Sequence, residues 1–237
     1  MVIDPGRVFR LHLAIIAALV LANVPIAVMD GFGHHGLFGY SRLLGLDQEA
    51  NIPSCFSSLA LLACAVVAWA NRSRAETGHP DGSAWGLLAG FFALLAIDEA
   101  AMLHELANRA SDEFALGGYL TKIGVFVYLP VMIWLAARLF PFWLRQDRPL
   151  RVRLFAGPAI YVGSAFGIEL IENQLRAAGV PNYDLRMRIS MTLEETGEML
   201  GVAVILYAFL RSFAALGGGA LVPLAVRDGR AGPDRPD

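Results

Sequence analysis

Six apolar segments, each close to the length that crosses a lipid bilayer, constrain what this chain can fold into. They cover residues 8–29, 55–70, 83–104, 119–144, 154–175 and 189–213. Only 17% of the residues are charged, against about 25% in a soluble domain. We therefore predict an all-α fold, a polytopic integral membrane helical bundle with six transmembrane helices in residues 1–216. Residues 217–237 are rich in Pro, Gly, Arg and Asp and are predicted to form a flexible cytoplasmic tail.

Arginines in the connections between these segments indicate the orientation. They lie before the first segment, after the second, between the fourth and fifth, and in the tail: Arg7, Arg10, Arg72, Arg74, Arg145, Arg148, Arg151, Arg153, Arg227, Arg230 and Arg235. With six spans these regions share one side, so both termini are predicted to be cytoplasmic in a bacterial inner membrane. The expected partner is the lipid bilayer, because a formal net charge of -2 argues against nucleic acid.

Ionisable residues concentrate at the predicted outer ends of several segments. Such groups are costly at membrane depth and by default suggest function. They end the third segment, lie late in the fifth, and open the sixth: Asp98, Glu99, His104, Glu105, Glu169, Glu172, Glu194, Glu195 and Glu198. The inner halves of the same segments are almost purely apolar. We therefore predict one shared acidic layer just beneath the outer surface.

Helical geometry predicts which residues of this layer share a face of their helix. At about 100° per residue, Asp98 and Glu105 share one face of a continuous helix, and Glu99 points roughly 100° away from Asp98. Glu99 is therefore predicted to be a bystander. The pairs Glu169/Glu172 and Glu194/Glu198 each share a face as well. Small residues allow helices to approach closely in a membrane, and four glycines are predicted to do so here: Gly163, Gly167, Gly197 and Gly201.

The carboxylates of this layer cannot all be ionised and unpaired, because like charges raise each other's pKa. Protons can be shared, one or two metal ions can bind, or arginines can fold in as partners: Arg109, Arg176, Arg186 and Arg188. Carboxylate pairs with histidine are typical of di-iron and di-manganese bundles. The Glu-x-x-His spacing of those bundles is missing, since Ala101 precedes His104 by three residues. A buried, hydrogen-bonded structural network is the alternative.

Several short motifs resemble those of a widespread group of small bacterial multi-pass membrane proteins. They are Asn-Ile-Pro-Ser-Cys-Phe-Ser-Ser at 51–58, Asp98-Glu99 with His104-Glu105, the stretch 163–169, and Leu-Glu-Glu at 193–195 with Glu198, Met199 and Gly201. The resemblance covers residues 51–213. It implies the six-span fold and a site built from the matching residues. It implies no substrate, because the group has no established activity.

The expected function is that of a metal-dependent enzyme acting on an amphiphilic, lipid-like substrate. The predicted metal ligands are Asp98, His104, Glu169, Glu172, Glu194 and Glu198. Glu105 and Glu195 are the predicted catalytic residues. Oxygen and nitrogen ligands without thiolate suit a divalent transition metal, namely iron, manganese or zinc. The alternatives are a proton- or cation-coupled transporter and an accessory subunit of a membrane complex.

Overall fold

The computed structural model describes residues 4–34, 39–75, 80–103 and 123–215, and these residues contain helices and no strand. The elements are α1 (Pro5–Gly31), α2 (Tyr40–Leu44), α3 (Ile52–Arg74), α4 (Pro80–Ala101), α5 (Ile123–Arg145), α6 (Arg148–Val162), a π-helical segment (Gly163–Ile168), α7 (Glu169–Ala177) and α8 (Leu185–Ala215). The all-α prediction is confirmed. The predicted tail, 217–237, lies outside the described residues.

Five helical stretches are long and apolar enough to cross a membrane. They are Pro5–Asp30, Ile52–Arg74, Asp81–Ala101, Arg148–Ala177 and Leu185–Ala215. They coincide with five of the six predicted segments and indicate a multi-pass membrane protein. The remaining segment, 119–144, overlaps α5, while its first four residues lie outside the described part of the chain. Large apolar side chains such as Leu21, Leu94 and Phe155 are exposed on the outer surface, as expected where helices face lipid.

Helix α8 is the most enclosed of these stretches and forms the centre of the bundle. Its Phe209 is almost fully buried and packs edge-on against Trp85 of α4, with ring centroids 5.1 Å apart. Asn71 of α3, which is fully buried, donates a 3.1 Å hydrogen bond to the carbonyl oxygen of Phe209. Asn71 is a polar exception in the half of the bundle predicted to be almost purely apolar. Its hydrogen bond links α3 to α8 at a contact that was predicted to be purely apolar.

Close contact between α6 and α8 depends on glycine, but not on all the predicted positions. A Cβ atom at Gly201 would lie 2.7 Å from the backbone nitrogen of Tyr161, and one at Gly197 would overlap Ser164. Gly163 and Gly167 have nothing within 4 Å of such an atom, so the prediction is wrong for these two. Gly157, whose carbonyl oxygen also faces Gly201, is the position that the sequence analysis missed.

The arginines of several helix ends lie at one end of the bundle, which we call the arginine end. Arg74, in the last turn of α3, stacks over Phe213 near the end of α8. Arg145, the last residue of α5, forms a 2.7 Å ion pair with Asp81 in the first turn of α4. The opposite end, where α4 and α7 finish and α3 and α8 begin, carries the acidic residues and is called the acidic end.

Helix α4 ends earlier than predicted. Its last residue is Ala101, and Met102 follows with a φ of 55°, a left-handed conformation that is uncommon for a residue with a side chain. The prediction of one continuous helical face from Asp98 to Glu105 is therefore wrong at Met102. Glu105 and His104 lie outside the described residues.

Candidate functional site

The structure brings three of the predicted site residues together at the acidic end. Glu169 and Glu172 of α7 are 4% and 1% exposed, and Glu194 on α8 is half-buried. Each of the three carboxylates offers an oxygen atom, and these atoms all lie within 4.8 Å of one another. Three carboxylates this close favour a nearby positive charge or a shared proton, because like charges disfavour each other's ionised form.

Arg176 supplies part of that compensation. Its guanidinium is 2.8 Å from Oε2 of Glu172 and 3.5 Å from Oε1 of Glu169. It also donates a 3.3 Å hydrogen bond to the side-chain oxygen of Asn173, which orients it toward the two acids. Arg176 was one of four arginines proposed as possible partners of the acidic layer, and it is in contact with two of the layer's carboxylates.

Glu172 nevertheless keeps one unsatisfied oxygen. Its Oε2 accepts from Arg176, whereas its buried Oε1 has no hydrogen-bond partner among the described residues. A buried carboxylate oxygen without a donor costs free energy of the order of 1–3 kcal/mol. The donor set of Glu169, Glu172 and Glu194 is composed of carboxylate oxygens, which suit a divalent cation. These residues therefore fit a metal ion.

A π-helical segment, Gly163–Ile168, immediately precedes Glu169. Such segments insert an extra residue into a helical turn and occur often at functional sites. The insertion shifts the rotational phase of the following turns, so it alters the direction in which Glu169 and Glu172 project from the helix. The sequence predicts a regular α-helix here, because the helical pattern assumes a constant rotation of about 100° per residue.

A second part of the site lies one turn further along α8. Glu198 and Glu99 line a small cavity with Tyr161 of α6. The cavity has about 10 Å³ of room for the centre of a water molecule, which is the lower limit for holding one water. Glu99, which was predicted to be a bystander, lies in the lining of this cavity together with Glu198. Glu194 and Glu198 are about 6 Å apart along the helix axis, so they connect the two parts.

Tyr161 is a site residue that the sequence analysis missed. It lines the same cavity as Glu198 and Glu99. A phenol among carboxylates can donate a hydrogen bond to one of them. A tyrosine in a long apolar segment gives no sequence signal of this role.

A separate ion-pair network holds the first connection against α8. Arg188, whose side chain is 14% exposed, lies 2.6 Å from Asp30 and 2.7 Å from Asp47. Asn23 extends the network, because it donates to Thr192 and accepts a hydrogen bond from the backbone of Leu46. Arg188 was predicted to pair with the acidic layer, but the structure pairs it with Asp30, near the end of α1, and with Asp47, in the connection between α1 and α3.

The remaining predicted residues have different surroundings. Arg186 pairs with the neighbouring Asp184 at 3.0 Å, and the hydrogen bond from its side chain lowers the pKa of that exposed carboxyl. Arg186 is therefore not a partner of the acidic layer. His34 is exposed. Arg109 lies outside the described residues, as do His104 and Glu105.

Comparison with known proteins identifies a family but no activity. A family model described as a domain of unknown function, DUF8692, matches residues 12–212. The match covers most of the chain, so this chain belongs to that family. No curated protein matches the chain, and no solved structure matches it either.

Proposed function

We propose that this member of the DUF8692 family is a six-span protein of the bacterial inner membrane with both termini in the cytoplasm. Helix α5 completes the set of six spans, as the fourth in chain order. Its 23 residues are apolar apart from Arg138 and Arg145. The gathering of Arg74 and Arg145 at one end of the bundle supports the orientation, because cytoplasmic loops carry an excess of Arg and Lys. The acidic end then faces the periplasm.

We further propose that the acidic end binds a divalent transition metal ion. The observation that carries this proposal is the approach of the Glu169, Glu172 and Glu194 oxygens to within 4.8 Å of one another. Glu172 adds a buried oxygen in need of a positive partner. Asp98, Glu198 and His104 remain predicted ligands.

The proposed activity is metal-dependent chemistry on an amphiphilic substrate. When bound, a divalent ion supplies a Lewis acid that makes water a better nucleophile at neutral pH. Glu195 and Glu105 are the proposed catalytic residues, as general bases that accept a proton. The cavity beside Tyr161 has room for the centre of about one water molecule. We expect an amphiphilic substrate to reach the carboxylates from the outer leaflet of the membrane, because the acidic residues lie at that end of the bundle.

Elemental analysis of the full-length protein purified in a mild, non-ionic detergent tests the metal site. We expect about one or two equivalents of iron, manganese or zinc, as in carboxylate-bridged helical bundles. Glu172→Gln keeps the shape of the side chain and removes its charge, so it should lower the metal content by at least about tenfold. Asp184→Asn removes a partly exposed acid near this end of the bundle and should leave the metal content unchanged.

Two results would contradict the proposal. One is a wild-type protein that stays metal-free after growth with added iron, manganese and zinc. The other is equal metal content in Glu172→Gln and the wild type. Charge movement in proteoliposomes that is abolished by Glu198→Gln would instead favour the transporter alternative. Stable co-purification with a partner, without metal or transport, would favour an accessory subunit.

A further inference from the structure

Four arginines at the arginine end stack on aromatic rings. The distances from the guanidinium carbon to the ring centroid are 4.8 Å for Arg72 over Trp69, 4.7 Å for Arg74 over Phe213, 5.6 Å for Arg151 over Trp143 and 5.2 Å for Arg153 over Tyr207. The pairs come from α3, α5, α6 and α8. We propose that they form a binding surface for anionic phospholipid headgroups.

Stacking prepares an arginine for phosphate. The ring covers one face of the guanidinium and fixes its plane, while the N–H donors at the edge remain available in a fork that fits phosphate oxygens. Arg72, Arg151 and Arg153 form no ion pair with any carboxylate in the described part of the chain. Trp143 is itself held in place, because its Nε1 donates a 2.8 Å hydrogen bond to the carbonyl oxygen of Arg151.

The charge balance of this end favours an anionic ligand. Its described acids are Asp4, Asp81 and Asp147, and each is already engaged: Asp4 with Arg7, Asp81 with Arg145, and Asp147 as the N-cap of α6. Against these three acids, the same end carries nine arginines: Arg7, Arg10, Arg72, Arg74, Arg145, Arg148, Arg151, Arg153 and Arg211. The excess is six positive charges among the described residues.

The apolar surroundings of these arginines favour a lipid over a water-soluble anion. Val152, between Arg151 and Arg153, is 57% exposed, and Trp69 beneath Arg72 is 56% exposed. A ligand of this surface must therefore offer negative charge and apolar chains side by side, as a phospholipid does. The inference is independent of the metal site, which lies at the other end of the bundle.

Thermal unfolding of the full-length protein in dodecyl maltoside tests the inference. Added phosphatidylglycerol should raise the Tm by about 4 °C more than phosphatidylcholine does, since each contacted arginine contributes modestly. The double substitution Arg151→Gln/Arg153→Gln should lose at least half of that difference. The matched control Arg42→Gln/Arg186→Gln removes two exposed arginines outside the arginine end and should keep all of it.

A third variant separates charge from stacking. Arg151→Lys/Arg153→Lys keeps the charge and loses the planar fork, so its Tm difference should fall between the wild type and the Gln variant. If the Gln variant cannot be purified, the Lys variant alone tests the inference. The inference is overturned if phosphatidylcholine or inorganic phosphate stabilises the wild type as much as phosphatidylglycerol does. It is also overturned if the Lys variant keeps the full difference.

Discussion

Arg176 lies 2.8 Å from one oxygen of Glu172 and leaves the other oxygen of that carboxylate without a donor among the described residues. The same guanidinium is 3.5 Å from Glu169, so one positive charge serves two buried acids. Glu194 brings a third carboxylate to within 4.8 Å of both. One arginine is thus in contact with two members of a cluster of three carboxylates. A cation bound to Oε1 of Glu172 would lie close to the Arg176 guanidinium, and the two positive charges would disfavour each other.

Arg176→Gln tests this repulsion. Without metal, the substitution leaves Glu169 and Glu172 buried without their cation, and we expect a loss of about 3 kcal/mol in the free energy of unfolding. This is the lower end for a buried pair, because 26% of the Arg176 side chain is exposed. With Mn²⁺ present, the variant should bind metal about tenfold more tightly, because the positive charge of Arg176 no longer opposes the ion. Isothermal titration and detergent denaturation measure the two effects. Weaker metal binding than in the wild type would refute the repulsion.

Arg188→Gln should release the connection between α1 and α3. Asp30 and Asp47 then lose a guanidinium at 2.6 Å and 2.7 Å, and we expect a destabilisation of about 3 kcal/mol. Amide hydrogen exchange in residues 40–50 should become faster, because α2 and the following turn are held by this network. Arg186→Gln, which breaks an exposed pair two residues away, should change neither quantity measurably. Unchanged exchange in the Arg188 variant would show that other contacts hold the connection.

Gly201→Ala should separate α6 from α8. The added Cβ meets the backbone of Tyr161 at 2.7 Å and that of Gly157 at 2.9 Å, and backbone cannot move aside as a side chain can. We expect a loss of about 2 kcal/mol, typical of overpacking. Gly163→Ala is the matched control, since nothing lies within 4 Å of its Cβ. It should be neutral or stabilise the helix by roughly 0.5 kcal/mol. Equal thermal stability of the two variants would contradict this packing.

Asn71→Ala should weaken the contact between α3 and α8. The side-chain nitrogen of Asn71 donates to the carbonyl oxygens of Val67 and Phe209, both at 3.1 Å. Hydrogen bonds between membrane helices are worth about 1 kcal/mol, so a Tm decrease of a few degrees is expected. Ser73→Ala removes an exposed hydroxyl that bonds only within its own helix at 3.1 Å, and it should have no effect. A Tm decrease of equal size in the two variants would contradict an interhelical role.

Much of the acidic site could be predicted from the chain. Antiparallel helices of bilayer length place alternate ends together, so Glu169, Glu172 and Glu194 had to lie at one level once the segments were recognised. Arg176, four residues after Glu172, could be expected to pair with it across one helical turn. These predictions depend on helix length and rise alone, which vary little between proteins.

Other features depend on contacts between segments distant in the chain. The π-helical segment before Glu169 and the left-handed Met102 after α4 change the direction of side chains, and neither leaves a composition signal. Glu99 lines the cavity with Tyr161 because of how α4 and α6 rotate against α8. Gly157 makes the close approach expected of Gly163 for the same reason.

Hydropathy and arginine placement were therefore sufficient to predict a helical, multi-pass membrane chain with an acidic end, because these properties follow from the cost of transferring polar groups into lipid. They did not determine which carboxylates share a cation. That grouping depends on the rotation of each helix about its own axis, which is decided by packing at contacts such as Gly201 against Tyr161 and Gly197 against Ser164. Interlocking side chains set this rotation, and a single apolar segment contains no information about its partner's surface.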